Sequence, residues 1–123
     1  MCSAHQPNLT KKYGKINKKL YFAIENNIIL SSNVILGGNV HIMNGSQVGM
    51  RVSIHQNQVI GSYTMIGMGS IITKKKIVRP GYVFYGKPIR LIKKNNISLN
   101  KNKINSKSLT TEFLRYKKLK KSI

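Results

Sequence analysis

IENNII LSSNVI LGGNVH IMNGSQ VGMRVS IHQNQV IGSYTM IGMGSI ITKKKI is the sequence of residues 24–77, divided into groups of six. Every hexad has an aliphatic residue in its first place: Ile24, Leu30, Leu36, Ile42, Val48, Ile54, Ile60, Ile66 and Ile72. The second place is often glycine, and the fifth is mostly small or β-branched. A hexapeptide period is typical of a parallel β-helix, in which three hexads make one triangular coil. We therefore predict an all-β fold with a parallel β-helix of about three coils.

The coil geometry predicts which side chains meet inside the prism. Residues three hexads apart lie on neighbouring coils, at the roughly 4.8 Å spacing of paired strands. The first-place residues are expected to form three internal columns: Ile24–Ile42–Ile60, Leu30–Val48–Ile66 and Leu36–Ile54–Ile72. The glycine in the second place is expected to allow corner dihedral angles that a Cβ atom would disfavour.

A helix of so few coils predicts association. A small unit buries a modest fraction of its surface, and both ends of the helix are open edges that invite pairing. We therefore expect a homotrimer. Met50 and Met68 are predicted to form a packing column at the subunit interface, although methionine would also suit a groove for an acyl chain.

The rest of the chain differs from the repeat. Residues 1–23 are a basic, aperiodic N-terminal segment, residues 78–95 form a closing segment, and residues 96–123 form a basic tail. Leu109, Phe113 and Tyr116 recur at helical spacing, which predicts a helix over about residues 108–121. Ser108 is the expected N-cap, and Glu112 is expected in the first turn.

The composition limits the partners. The chain has 22 Lys and Arg residues against two acidic residues, for a formal charge of +20. This charge favours an anionic partner such as a nucleic acid, a phosphorylated ligand or an acidic protein, but a coding bias toward Lys, Asn and Ile explains it equally well. The sequence disfavours nucleic acid as the partner because it shows no recognisable recognition helix or aromatic platform.

Cysteine usage and hydropathy exclude several classes of protein. Cys2 is alone, which excludes an intramolecular disulfide framework and a cysteine-rich metal site. We expect no bound metal and no resident cofactor. The sequence contains no signal-peptide pattern and no apolar run of the roughly 20 residues needed to span a bilayer. A cytoplasmic protein is the expectation.

Three segments carry a resemblance to a known family: LGGNVHI at 36–42, VGMRVSIHQNQVIGSYTMIGMGS at 48–70 and VFYGKPIRLIKKN at 83–95. They resemble the C-terminal part of the hexapeptide-repeat sugar acyltransferases, above all the UDP-N-acetylglucosamine O-acyltransferases of lipid A synthesis. The resemblance implies a left-handed β-helix and a trimer with active sites between subunits. It also implies acyl transfer from acyl carrier protein or coenzyme A to a nucleotide sugar.

The same resemblance assigns candidate site residues. The family's general-base histidine falls on Leu20, which cannot accept a proton, so no catalytic residue is assigned. Gly38 matches a glycine whose backbone N–H stabilises an oxyanion, although a corner glycine explains it equally well. The remaining matches are substrate-binding positions: Asn39, His55, Gln56, Asn95 and Lys101. For Asn39, an asparagine ladder with Asn57 is an equally good explanation.

The basic surface bears on the acyl donor that the resemblance implies. Acyl carrier protein is acidic and coenzyme A is phosphorylated, so either would suit a basic surface. Five cations cluster near the end of the repeat, where such a donor could dock: Lys74, Lys75, Lys76, Arg79 and Lys87.

Three functions follow from the sequence. The first is a trimeric sugar acyltransferase that is truncated relative to its family. The second is an inactive β-helix remnant that acts in assembly or interaction, which the replacement at Leu20 favours. The third is a nucleic-acid-binding protein driven by charge.

Overall fold

The β-helix is present in the computed structural model, which describes residues 23–122. The predicted N-terminal segment of residues 1–23, including Leu20, lies outside the described residues except for Ala23, which begins the first strand. Nine two-residue strands form the coils: β1 Ala23–Ile24, β2 Ile29–Leu30, β3 Ile35–Leu36, β4 His41–Ile42, β5 Gln47–Val48, β6 Ser53–Ile54, β7 Val59–Ile60, β8 Met65–Ile66 and β9 Ile71–Ile72. They pair in parallel as three sheets. Sheet A contains β1, β4 and β7, sheet B contains β2, β5 and β8, and sheet C contains β3, β6 and β9.

The strand register confirms the predicted columns. Ile24 pairs with Ile42 and Ile42 with Ile60 in sheet A. The equivalent pairs in sheets B and C join Leu30, Val48 and Ile66, and Leu36, Ile54 and Ile72. Ile42, Ile60, Ile66 and Ile72 are completely buried. The hexapeptide period is therefore the period of a parallel β-helix of three coils, as predicted.

The corner geometry differs from the prediction in one respect. Positive φ angles occur at the fourth place of every hexad and not at the second: Asn27, Asn33, Asn39, Gly45, Arg51, Asn57, Tyr63, Gly69 and Lys75. Four of these nine residues are asparagine, the side chain that best tolerates the left-handed region. The prediction that second-place glycines supply the corner dihedral angles was wrong.

The second-place glycines are needed for a different reason, which is the close approach of the next coil. A Cβ atom on Gly37 would lie 2.4 Å from the backbone nitrogen of Gln56, and one on Gly49 would lie 2.7 Å from that of Met68. Backbone atoms cannot move aside as a flexible side chain can. The glycines therefore set the distance between coils at their corners.

A hairpin closes the C-terminal end of the β-helix, which we call its lower end. Val78 bridges to Ile60, and β10 (Tyr82–Gly86) pairs in parallel with β8, which places Phe84 below Ile66. The strand β11 (Ile89–Lys94) then pairs antiparallel with β10 and forms the edge of sheet B. Val78 and Phe84 are buried, so residues 78–95 supply a partial fourth coil.

The tail contains two helices, whereas one was predicted. The first, α1 (Asn96–Lys101), was not predicted, and the second, α2, spans Ser106–Lys121. The helix α2 begins earlier than predicted because Asn105, and not Ser108, is its N-cap; the Asn105 side chain accepts a hydrogen bond from the Ser108 N–H over 2.8 Å. No acidic residue lies in the first turn, so the prediction for Glu112 was also wrong.

The outer face of sheet A is covered by α2. Tyr116 is buried against Met43 and Val59, and its hydroxyl accepts a hydrogen bond from the Val78 N–H over 2.9 Å. The Arg79 guanidinium stacks between the rings of Tyr82 and Phe113, 4.9 Å and 4.8 Å from their centroids. Within residues 23–122, no helix has the length and apolar character that crossing a membrane requires.

Candidate functional site

The corner between sheets C and A brings together four of the predicted site residues. We call it the His55 corner; it consists of residues 37–40, 55–58 and 73–76 on three successive coils. Gly38 lies above Gln56, and the Gly38 carbonyl accepts a hydrogen bond from the Asn57 N–H over 2.9 Å. The Asn39 side chain donates to the Asn57 side chain over 3.0 Å. This bond is the predicted asparagine ladder. Asn39 lies at the same corner as His55, one coil before it.

His55 has a fixed tautomer in its neutral form. Its Nδ1 lies 2.9 Å from the carbonyl oxygen of Gln56. Because a carbonyl can only accept, Nδ1 carries the hydrogen and Nε2 keeps its lone pair. The His55 side chain is exposed. The ring can therefore accept a hydrogen bond from a hydroxyl or amine at the surface of this corner.

The Gly38 N–H, the predicted oxyanion donor, lies at the His55 corner. At the corner between sheets A and B, two third-place N–H groups are bound by side chains: the Asn26 N–H donates to Asn44 Oδ1 and the Asn44 N–H donates to Glu25 Oε1. Among residues 23–122, no group accepts from the Gly38 N–H. The Gly38 N–H and His55 therefore lie at the same corner.

The other two predicted residues lie in a separate groove. Asn95 and Lys101 line a cleft of about 700 Å³ between α1 and the outer face of sheet B. The rest of its lining combines apolar and amide side chains: Asn27, Ile28, Ile29, Gly45, Gln47, Met65, Ile97, Ser98 and Asn102. Asn95 is held by its amide, which donates to the Tyr63 carbonyl over 3.0 Å. We call this cleft the α1 groove.

A charge network that sequence reasoning missed fastens α2 to the first coil. Glu25 accepts two bonds from Arg115, at 2.6 Å and 2.7 Å, and one from His41 at 2.6 Å. Glu112 accepts from Arg115 over 3.1 Å and from the Ser62 hydroxyl. The signal in the sequence was the scarcity of acids, since a chain with two carboxylates among 22 cations places each of them opposite a cation.

The network shifts the pKa values of its members. Burial by itself would raise the pKa of Glu25, but the hydrogen bonds from Arg115 and His41 outweigh it and lower that pKa from 4.5 to about 2. The hydrogen bond from Arg115 likewise lowers the pKa of Glu112, and the bond to Glu25 raises the pKa of Arg115. Both carboxylates are therefore ionised at neutral pH. Within residues 23–122, no three His, Cys, Asp or Glu side chains converge to hold a metal.

Comparison with known proteins bears on the fold. The UDP-N-acetylglucosamine acyltransferase of Arabidopsis superposes with a TM-score of 0.64 at 23% identity, over 77% of this chain and 32% of that one. A putative acetyltransferase of Bacillus cereus gives 0.57 at 20% identity, over 79% of this chain and 62% of that one. The N-acyltransferase AntD of Bacillus cereus, solved with dTDP and coenzyme A, gives a TM-score of 0.60 at 20% identity, over 78% of this chain and 60% of that one.

The chain matches only part of each of these structures. The chain spans about a third of the Arabidopsis enzyme and about three-fifths of the two Bacillus proteins. No protein-family model and no curated protein sequence matches it. At these identities the likeness is one of architecture. The chain shares the parallel β-helix fold of the hexapeptide-repeat acyltransferases.

Proposed function

We propose that the chain is a subunit of a sugar acyltransferase, which transfers an acyl group from acyl carrier protein or coenzyme A to a hydroxyl or amine of a nucleotide sugar. The observation that carries the proposal is the His55 corner, where a proton-accepting Nε2 and the Gly38 N–H lie on consecutive coils. Acyl transfer needs an acceptor for the proton of the attacking group and a donor for the oxyanion. A role in lipid A or surface-polysaccharide synthesis belongs to this proposal, as does a cytoplasmic location.

The two halves of the site lie on different sides of the chain. The His55 corner joins sheets C and A, whereas the α1 groove lies on sheet B, toward the corner that joins it to sheet A. One chain alone cannot place both on one substrate. A cyclic trimer joins different faces of neighbouring copies, so a site between subunits would combine the two halves.

Exposed apolar side chains favour the trimer that this site needs. They surround the corner between sheets B and C: Ile29, Ile35, Met50, Met65, Met68 and Ile71, with exposed fractions of 38–64%. If this corner lies at the three-fold axis, sheet B of one copy faces sheet C of the next. The His55 corner of one subunit then lies beside the α1 groove of its neighbour.

The chemistry divides between the two halves. We assign His55 and Gln56 to the sugar that carries the attacking hydroxyl or amine, and Gly38 to the carbonyl oxygen of the acyl thioester. Lys101 in the α1 groove suits the phosphates of the nucleotide, since an ammonium donates hydrogen bonds to such oxygens. Asn95 is 7% exposed and its amide is bound to the Tyr63 carbonyl, so we assign it to shaping the groove. Lys74 and Lys75 are exposed on the third coil of the His55 corner and suit the phosphates of the donor.

A second function, an inactive β-helix that acts in assembly, is favoured by one observation. The position at which the resembling family has its general-base histidine is Leu20, and leucine cannot accept a proton. In this alternative the chain folds and associates with itself or with longer relatives, and the His55 corner binds a ligand without turnover.

The experiment that separates the two functions measures acyl transfer and binding on the same sample. The full chain is purified, its mass is determined by sedimentation equilibrium, and it is mixed with UDP-amino sugars and acylated carrier protein or acyl-coenzyme A. Turnover by a trimer that His55→Ala abolishes supports the acyltransferase. Binding of nucleotide sugar without turnover supports the inactive form, and a monomer contradicts the site between subunits.

A further inference from the structure

The edge strand β11 carries an unusual combination of side chains. Apart from Ile89, which is buried, every residue of this strand is exposed. Leu91 and Ile92 expose 47% and 54% of their surface, and they are flanked by cations: Arg90, Lys93 and Lys94. A pair of adjacent exposed aliphatics among cations costs free energy in water and has no role in closing the core.

The hairpin register explains how these residues reach the surface. Tyr85 pairs with Arg90 and Val83 with Lys93, but the register shifts between Val83 and Phe84, which leaves Ile92 without a partner in β10. Leu91 pairs with the buried Phe84, one strand beyond the last residues of the core. The hairpin thus exposes aliphatic and basic side chains along the edge strand of sheet B.

No acid of this chain can neutralise the hairpin. Its two acidic residues are Glu25 and Glu112, and both are bound to Arg115 in the α2 network. The cations of β11 must therefore be balanced by solvent ions or by an anionic partner.

We propose that the β10–β11 hairpin docks on an anionic lipid bilayer, with Leu91 and Ile92 in the headgroup region and Arg90, Lys93 and Lys94 on lipid phosphates. Surfaces that combine exposed aliphatic side chains with cations bind anionic bilayers through apolar burial and through electrostatic attraction to the lipid phosphates. A nucleic acid is disfavoured because its phosphates would bind the cations but would leave Leu91 and Ile92 without an apolar contact. The inference is independent of acyl transfer, since it uses none of the residues of the His55 corner.

The test is co-sedimentation of the full chain with vesicles of pure phosphatidylcholine and of phosphatidylcholine with phosphatidylglycerol. We expect binding to the anionic vesicles alone, weakened by salt. Arg90→Gln with Lys93→Gln lowers the partition coefficient by about 25-fold, since each cation near an anionic surface contributes about a factor of five. Ile92→Ser lowers it by about fivefold through lost apolar burial.

Matched controls localise the effect. Lys107→Gln with Lys118→Gln removes the same charge from exposed positions of α2, and Leu114→Ser removes an aliphatic side chain of 60% exposure. Both controls should retain binding, and all variants should melt at the wild-type temperature. Absence of binding to anionic vesicles, or equal losses in hairpin and control variants, overturns the proposal. Binding of polyuridine RNA that is lost with the hairpin cations but unchanged by Ile92→Ser would assign the surface to nucleic acid.

Discussion

Arg115 and Glu25, 90 residues apart in the chain, form a two-point ion pair in which both guanidinium Nη atoms donate to the carboxylate, over 2.6 Å and 2.7 Å. Arg115 lies on α2, the last helix, whereas Glu25 lies at the first described corner of the β-helix. The pair therefore ties the end of the chain to the upper end of the stack, and it makes α2 part of the folded unit.

The ion pair predicts a stability effect. Arg115→Met removes the hydrogen bonds to two partly buried carboxylates, so the free energy of unfolding should fall by about 2–3 kcal/mol, measured by urea denaturation. Lys118→Met removes one exposed cation from the same helix and should change it by less than about 0.5 kcal/mol. Equal effects of the two substitutions would show that α2 is not fastened by this pair.

Stability should depend on acid pH through the same carboxylate. The pKa of Glu25 falls from 4.5 to about 2 on folding, so its contribution is fully present above about pH 4.5 and is lost as the pH falls toward 2. After allowance for solvent screening, about 2 kcal/mol should disappear over this range. Glu25→Gln should flatten the curve, leaving the smaller slope of Glu112. Identical pH profiles for wild type and variant would refute the assignment.

The corners predict opposite responses to substitution at two places of the hexad. Gly49→Ala puts a Cβ atom 2.7 Å from the Met68 nitrogen and 2.9 Å from the Ile66 carbonyl oxygen, so it should destabilise the fold by more than about 2 kcal/mol. Asn33→Gly at a positive φ of 60° should change stability by less than about 0.5 kcal/mol. Thermal unfolding followed by circular dichroism measures both, and the reverse order would contradict the role of the second-place glycines.

His55 predicts a binding effect without unfolding. His55→Ala should weaken nucleotide-sugar binding about tenfold, the loss of roughly one hydrogen bond, while the melting temperature stays at the wild-type value. Isothermal titration calorimetry gives the affinity. Ser31→Ala occupies the same hexad place at the corner between sheets B and C and should leave the affinity unchanged. Unchanged affinity in His55→Ala would remove this residue from the site, and unfolding would make its role structural.

Met68 predicts the oligomeric state. It is 56% exposed at the corner between sheets B and C, so Met68→Lys should place three like charges near the three-fold axis and convert the trimer to monomers. Leu114→Lys, at 60% exposure on α2, should leave the trimer intact. Sedimentation equilibrium distinguishes the two. A trimer that survives Met68→Lys would have its interface elsewhere. That result would also contradict the proposed pairing of the His55 corner with the α1 groove.

Local, repeated features could be predicted from the sequence. The hexad fixed which side chains point inward, because an aliphatic residue every sixth position can be buried only if successive coils stack in register. The three columns, the pairing of Asn39 with Asn57 and the stacking of Gly38 over Gln56 all follow from that one period. The presence of a helix in the tail was also predictable, from a different local pattern: Phe113 and Tyr116 recur at helical spacing.

Features that join distant parts of the chain required the tertiary structure. Nothing local to Asn95 or Lys101 indicates that α1 leaves a groove against sheet B, on a different side of the prism from His55. The ion pair of Arg115 with Glu25, the β10–β11 hairpin and the placement of Ile92 at its register shift depend on how the closing segment folds back. Repetition made the β-helix readable from its sequence because each coil presents the same packing problem, whereas the closing segment occurs once and only its contacts decide its path.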